Sequence, residues 1–337
     1  MNNKAIFSMI IAALSFSFCP LLYAISLETA SPLAQAFYVQ LFVTIVASFF
    51  ILIVTKRLDS LYKPLISLFK LPWETWSVIV LSGVGGYMGT LFFLWALGLM
   101  SDAGASIIME AWPILAVLIS PVLISTHRAS IRLLDIALII LLFIGLSMIY
   151  ASDTGITLDQ FVKNPIFMFE NGTFDDFLGI ICAFMSAFCY AWAGVSRPYF
   201  LSLLSDRFNQ TYLLKNGECY SSLFAFWLTC LTAMPLALIS AWYFEDTVFS
   251  AMNNLYISIG LGVLLTSMGC FYAFSLMKAT SSTINLLWYF APVLATIWLV
   301  LFGYSQLTPL LILGGFLIIL ANLILILTNK QTTNEIA

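Results

Sequence analysis

"GYMGTLFFLWALGLMSDAGASIIMEAWPILAVL", residues 86–118, is read a second time in "TSMGCFYAFSLMKATSSTINLLWYFAPVLATIWL", residues 266–299. Each stretch holds a Met-Gly pair (Met88-Gly89, Met268-Gly269), then an aromatic-Ala step (Trp95-Ala96, Tyr272-Ala273), then Leu-Met (Leu99-Met100, Leu276-Met277). A short turn of small residues follows in both. Each then has a Trp, and a Pro followed by an aliphatic run (Trp112 and Pro113; Trp288 and Pro292). The register slips by two residues between the Leu-Met pair and the Pro, so the match is approximate. Each copy is long and apolar enough for two crossings, since a helix needs about 20 apolar residues to span about 30 Å of hydrocarbon.

Working outward, ten such runs are predicted. They are 4–25, 34–55, 76–99, 103–125 and 132–150 in the first half, and 175–198, 217–243, 252–277, 281–302 and 308–328 in the second. The 337 residues are 62% apolar and only 9% charged, whereas a soluble globular chain is about a quarter charged. Too few charges exist to cover a water-exposed surface, and the bilayer is the expected solvent. With the N-terminus in the cytoplasm, alternation puts Lys4, Lys56, Arg57, Lys63, Lys70, Arg128, Arg132, Arg197, Arg207, Lys215, Lys278 and Lys330 on the cytoplasmic side. Only Lys163 of the 13 basic residues falls outside, a strong positive-inside pattern with both termini cytoplasmic. The first run follows Lys4 as a signal peptide would, but it exceeds the usual signal core of roughly 7–15 residues and is expected to remain as a span.

Five helices per half is an odd number, so the second half enters the membrane from the opposite side. The predicted fold is an all-α membrane protein of ten transmembrane helices in two inverted five-helix repeats: 1–150, an external linker at 151–174, 175–330, and a cytoplasmic tail at 331–337. Inverted repeats are the common architecture of secondary transporters, in which one half moves against the other around a midplane site. Taken with "ALGLMSDAGASIIMEAWPILAVLIS" and "SLMKATSSTINLLWYFAPVLATIWLVL", and with Gly145 and Gly314-Gly315 in the closing aliphatic runs, the chain resembles the EamA-type exporters of the drug/metabolite transporter superfamily. The resemblance covers nearly the whole chain. It implies a bacterial inner-membrane exporter of small organic metabolites, amino acids or related amphipathic solutes. Two departures stand out: the family's usual acidic residue after the ninth span is absent from "LFGYSQLTP", and the fourth span carries a glutamate.

That glutamate, Glu110, lies eight residues after Asp102 and so about 12 Å below the outer interface. A charge at a helix centre costs about 3 kcal/mol to insert. Residues that bear this cost usually face the bundle interior and mark a substrate or proton path. Glu110 is a candidate for proton coupling or for binding a substrate ammonium; a protonated carboxyl bonded to a neighbouring helix is the structural alternative. Candidate cavity residues beside it are Tyr87, Trp95, Trp112, Trp192, Tyr272, Asn285, Trp288 and Tyr289, with Gln40 and Tyr190 as further lining, because a site for an amphipathic solute wants aromatic walls and few polar groups. Pro113 and Pro292 each remove a backbone donor and are candidate hinges for alternating access. Gly85 and Gly89 form a GxxxG step that suits close helix packing.

No Walker, GxSxG or HExxH segment occurs, and the only histidine, His127, falls in a cytoplasmic turn. The six cysteines have no CxxC spacing and are expected to be apolar packing residues. No metal, cofactor or nucleic-acid partner is expected, and no enzymatic activity. The expected partners are the bilayer, a small-molecule substrate and a proton as candidate coupling ion. A multidrug or other solute carrier of the same fold is the alternative, and a membrane-embedded lipid-processing enzyme or scramblase a more distant one.

Overall fold

The computed structural model describes residues 3–55, 71–112, 114–116, 119, 133–164, 173–207, 218–244, 255–278, 287–288 and 290–334. Their regular structure is helical. The first run is split into α1 (Asn3–Ser17) and α2 (Cys19–Leu27) by a turn at Phe18. Pro20 explains the split, because it has no N–H to give the carbonyl one turn back. There follow α3 (Pro32–Thr55), α4 (Trp73–Leu99), α5 (Asp102–Met109) and α6 (Leu133–Asp153). The linker holds a short helix, α7 (Leu158–Lys163), where a loop is predicted. Thr157 and Gln160 close its N-terminus as a reciprocal capping box, and Lys163 reaches Asp159 at 2.6 Å. The second half supplies α8 (Phe174–Arg207), α9 (Glu218–Phe244), α10 (Leu255–Lys278), α11 (Phe290–Leu301) and α12 (Pro309–Asn334).

Among the described residues, seven helical stretches are long and apolar enough to cross a membrane: 3–27, 32–53, 73–99, 136–153, 174–197, 223–243 and 255–272. Residues 290–301 and 309–324 form shorter apolar helices. The two runs of the repeated stretch that contain Pro113 and Pro292 are described only in part. The fourth breaks at Glu110–Ala111, with helical backbone again at 112 and 114–116. Of the ninth, the described residues are 287–288, with 3₁₀ backbone, and α11 from Phe290. Pro292 lies within α11 and is buried.

The helices pack across the two halves more than within them. α4 lies along α8, and α1 along α10. α6 packs on α12 and α3 on α9; α3 also meets α10, and α9 also meets α4. Small residues set these distances. A Cβ on Gly85 would meet Trp192 Cδ1 at 3.0 Å, and one on Gly89 would meet the Tyr190 ring at 3.3 Å, so the GxxxG step is the α4–α8 seam. Buried Ala, Ile and Leu fill one continuous core, which includes Ala36, Ile51, Leu94, Ala183, Leu261 and Ala321. The outward faces carry Phe49, Ile53, Ile140, Trp242 and Phe316, as suits contact with lipid.

Candidate functional site

Ser101 caps α5 by accepting the Gly104 N–H, and Ser305 Oγ accepts the Ala103 N–H. The Ser101 N–H in turn reaches Asp153 Oδ2 at 3.2 Å. These contacts anchor the helix at its N-terminal end, so that Glu110 comes to lie at its C-terminal break. Glu110 is 2% exposed. Trp288 Nε1 donates to its Oε2 at 3.1 Å, and Oε1 has no hydrogen-bond partner. The break also frees backbone carbonyls. One of them, Glu110 O, accepts Asn322 Nδ2 from α12 at 3.1 Å. Irregular backbone at membrane depth survives only where another group satisfies it, and Asn322 does so here. Trp288 is held in turn by rings, with Phe16 at 5.2 Å and Tyr272 at 4.9 Å between centroids. Side chains from five predicted runs, that of Glu110 included, thus meet around Glu110 and Trp288.

A second polar locus lies between α3, α4, α8, α9 and α10. It is a cavity of about 100 Å³ lined by Gln40, Ser82, Gly86, Tyr87, Thr90, Tyr190, Arg197 and Cys230, together with Phe226, Met268 and other apolar side chains. Thr90 Oγ1 and the Tyr190 hydroxyl are bonded at 2.9 Å, and Gln40 Nε2 donates to Cys230 O at 2.7 Å. Arg197 Cζ stands 5.2 Å from the centre of the Phe226 ring. Its Nη2 comes within 3.8 Å of where a Cβ on Gly86 would be, and Gly86 lies midway along α4. The guanidinium therefore points toward the bundle centre rather than out to water. Arg197 Nε and Ser82 Oγ are both buried without a hydrogen-bond partner. A cation at this depth costs about 2.5–3.5 kcal/mol. A ring face returns only about 0.5–2 kcal/mol of that. Among the described residues, no carboxylate lines the cavity.

The predicted site residues therefore separate. Glu110, Trp288 and Tyr272 form one cluster, and Tyr87 belongs to the Arg197 cavity with Gln40 and Tyr190. Met268 touches both, lining the cavity and packing on the Trp288 cluster. Trp112 approaches the Glu110 carboxyl as well, and lies over Gly194 of α8, where a Cβ would be 3.4 Å from its ring. Trp192 fills the seam under Gly85, and Trp95 packs edge-on against Phe92 at 5.8 Å. Pro113, Asn285, Tyr289 and His127 lie outside the described residues. Arg197, placed by sequence on the cytoplasmic side at the end of the run 175–198 and not among the site residues, lines the cavity from within α8. The signal was there to be read: "PYFLSLL" after it is apolar again, so the charge does not end the helix.

At the other end of the bundle, a polar vestibule of about 590 Å³ opens between Ser101, Ser152, Asp153, Asp176, Tyr304, Gln306 and their neighbours. The Tyr304 hydroxyl donates to Glu28 Oε1 across the two halves. That bond holds the phenol protonated, pushing its pKa up to about 12. The contact is exposed, so Tyr304→Phe is expected to cost less than about 1 kcal/mol, read as a small fall in melting temperature.

A solved crystal structure of another protein resembles the chain from end to end. The match covers 98% of this chain and 99% of that one, at 18% identity and a TM-score of 0.58. At that identity the likeness is one of fold. No curated protein matches the sequence. The pattern of the EamA-like transporter family matches residues 3–151, which contain Glu110, the α5 break and the α4 wall of the Arg197 cavity. By that match the first half of the chain is similar to the EamA-like transporter family, which belongs to the drug/metabolite transporter superfamily.

Proposed function

We propose that the chain is a secondary transporter of ten spans, two inverted five-helix repeats, that exports small organic metabolites such as amino acids or related amphipathic solutes. One observation carries this reading: the helix pairing is unchanged when the halves are exchanged. Replacing the first run by the sixth and the third by the eighth turns the α1–α10 pair into the α8–α4 pair. The α3–α10 pair becomes α9–α4, while α6–α12 and α3–α9 map onto themselves. Such a bundle has two equivalent ways to open, one to each side, and alternating access exchanges them. The domain match over 3–151 supports transport, and the second half is read as the second copy. The fold family and the positive-inside pattern support a bacterial inner membrane with both termini in the cytoplasm.

Glu110 is the proposed proton carrier, since its carboxyl has one bonded and one unpartnered oxygen beside a backbone break. The test is solute flux from purified protein in liposomes, across a panel of amino acids and aromatic amines, with and without a pH gradient. A pH gradient is expected to drive wild-type flux at least tenfold, and Glu110→Gln to abolish that drive while leaving slow downhill exchange. Glu110→Gln flux that still follows the pH gradient would remove the carboxyl from coupling. No flux of any solute, with turnover of a lipid instead, would overturn transport itself.

A further inference from the structure

We propose that the Arg197 cavity is the subsite that takes the carboxylate of the transported solute. The proposal rests on the transport reading, and it adds a charge requirement: the cargo is an organic anion or zwitterion, with its anionic end in this cavity. The guanidinium has what a carboxylate needs and lacks what a structural arginine has. It faces Tyr190, Cys230 and the Phe226 ring, and among the described residues no acidic side chain lines the cavity to neutralise it. Its Nε is orphaned, and the orphaned Ser82 hydroxyl opens on the same space. Planar carboxylates are matched by the guanidinium fork in paired hydrogen bonds. Glycine at position 86 leaves open the ground in front of Nη2, because a Cβ there would meet nothing else within 4 Å.

Size narrows the assignment. Sites for whole drug-sized ligands run to roughly 300–1,000 Å³. The cavity here, about 100 Å³, suits a carboxylate head and its nearest atoms. The remainder of a solute must lie elsewhere, and Met268 is the side chain between this cavity and the Trp288 cluster. An unbranched, polarisable thioether can move aside for an apolar tail.

Binding tests the subsite independently of flux. Thermal stabilisation of the purified full chain is measured with L-phenylalanine, L-leucine and 3-phenylpropionate, against phenylalaninamide and 2-phenylethylamine, and against chloride and phosphate. The carboxylates are expected to stabilise the wild type, the amide and the amine at least tenfold less potently. Arg197→Gln is expected to erase that difference and Arg197→Lys to retain part of it. Gly86→Ala, which creates no clash, is expected to weaken carboxylate binding several-fold while melting like the wild type without ligand. It keeps the test decisive if the Arg197 variants fold poorly. Equal response to acid, amide and amine, stabilisation by chloride or phosphate alone, or carboxylate binding untouched by Gly86→Ala and Arg197→Gln, each overturns the proposal. Such results, obtained with a chain that still moves amines across liposomes, would leave the transport reading standing. Carboxylate binding without flux would do the reverse.

Discussion

Gly314→Val is expected to lower the melting temperature sharply and reduce the yield of folded protein, and Gly145→Val to do the same. The two glycines face each other where α6 crosses α12. A Cβ on Gly314 would lie 2.7 Å from Gly145 O, and one on Gly145 would lie 2.9 Å from Gly314 O. The obstructing atom is in each case a backbone carbonyl of a regular helix, which has no alternative rotamer. Overpacking that side chains can absorb costs about 1–3 kcal/mol. Here the helices themselves must separate, so the loss is expected at or above about 3 kcal/mol, out of a total stability of about 5–15 kcal/mol. Melting of the detergent-purified variants and their recovery as monodisperse protein check this. Gly98→Ala is the control, since a Cβ there meets nothing within 4 Å. Removing an unneeded helical glycine is worth about 0.5–1 kcal/mol, so that variant should match or exceed the wild type. If Gly314→Val melts with the wild type, α6 and α12 do not cross at these residues.

The same glycines show how much the sequence could tell. Gly145 and Gly314 stand out in aliphatic runs, and Gly85 and Gly89 at helical spacing, because a glycine is poor in a helix unless something needs its space. Each proved to be a close approach. The apolar runs were equally legible, since hydropathy is a property of consecutive residues: α3, α4, α6 and α10 begin and end within a few residues of their predicted bounds. What stayed hidden depends on partners distant in sequence. Nothing in "SIIMEAWPIL" says that the donor to the Glu110 carbonyl comes from Asn322, 212 residues away. Nothing near Trp288 marks it as the hydrogen-bond donor to Glu110, although the sequence suggests both for one cavity. Arg197 escapes notice as a site residue for a different reason. A charge close to the end of an apolar window looks like a boundary, and only the direction of its side chain, inward past Gly86, makes it a site.

Asn322→Leu is expected to have the largest effect on function of any change outside the two charged loci. Asn322 is fully buried and spends one amide group on two carbonyls, Glu110 O and Ile318 O, each at 3.1 Å. Leucine keeps the volume and removes the donor. Ile318 O is a carbonyl within α12, where the helix's own ladder can serve it. Glu110 O lies at the break, and losing its donor inside hydrocarbon costs about 1–3 kcal/mol. The chain can avoid that cost only by admitting water or by shifting the break. Either movement would displace the carboxyl from Trp288. A shift of that order corresponds to roughly tenfold in rate for each 1.4 kcal/mol, so flux should fall at least tenfold while the protein remains folded. Trp288→Phe is the informative comparison. It keeps the ring between Phe16 and Tyr272 but removes the one donor to Glu110 Oε2. If both side chains act through Glu110, the double variant should lose less than the two single losses combined, because the carboxyl is already misplaced after either one. Additive losses would mean that Asn322 supports α12 alone, and that the break in α5 holds its shape without it.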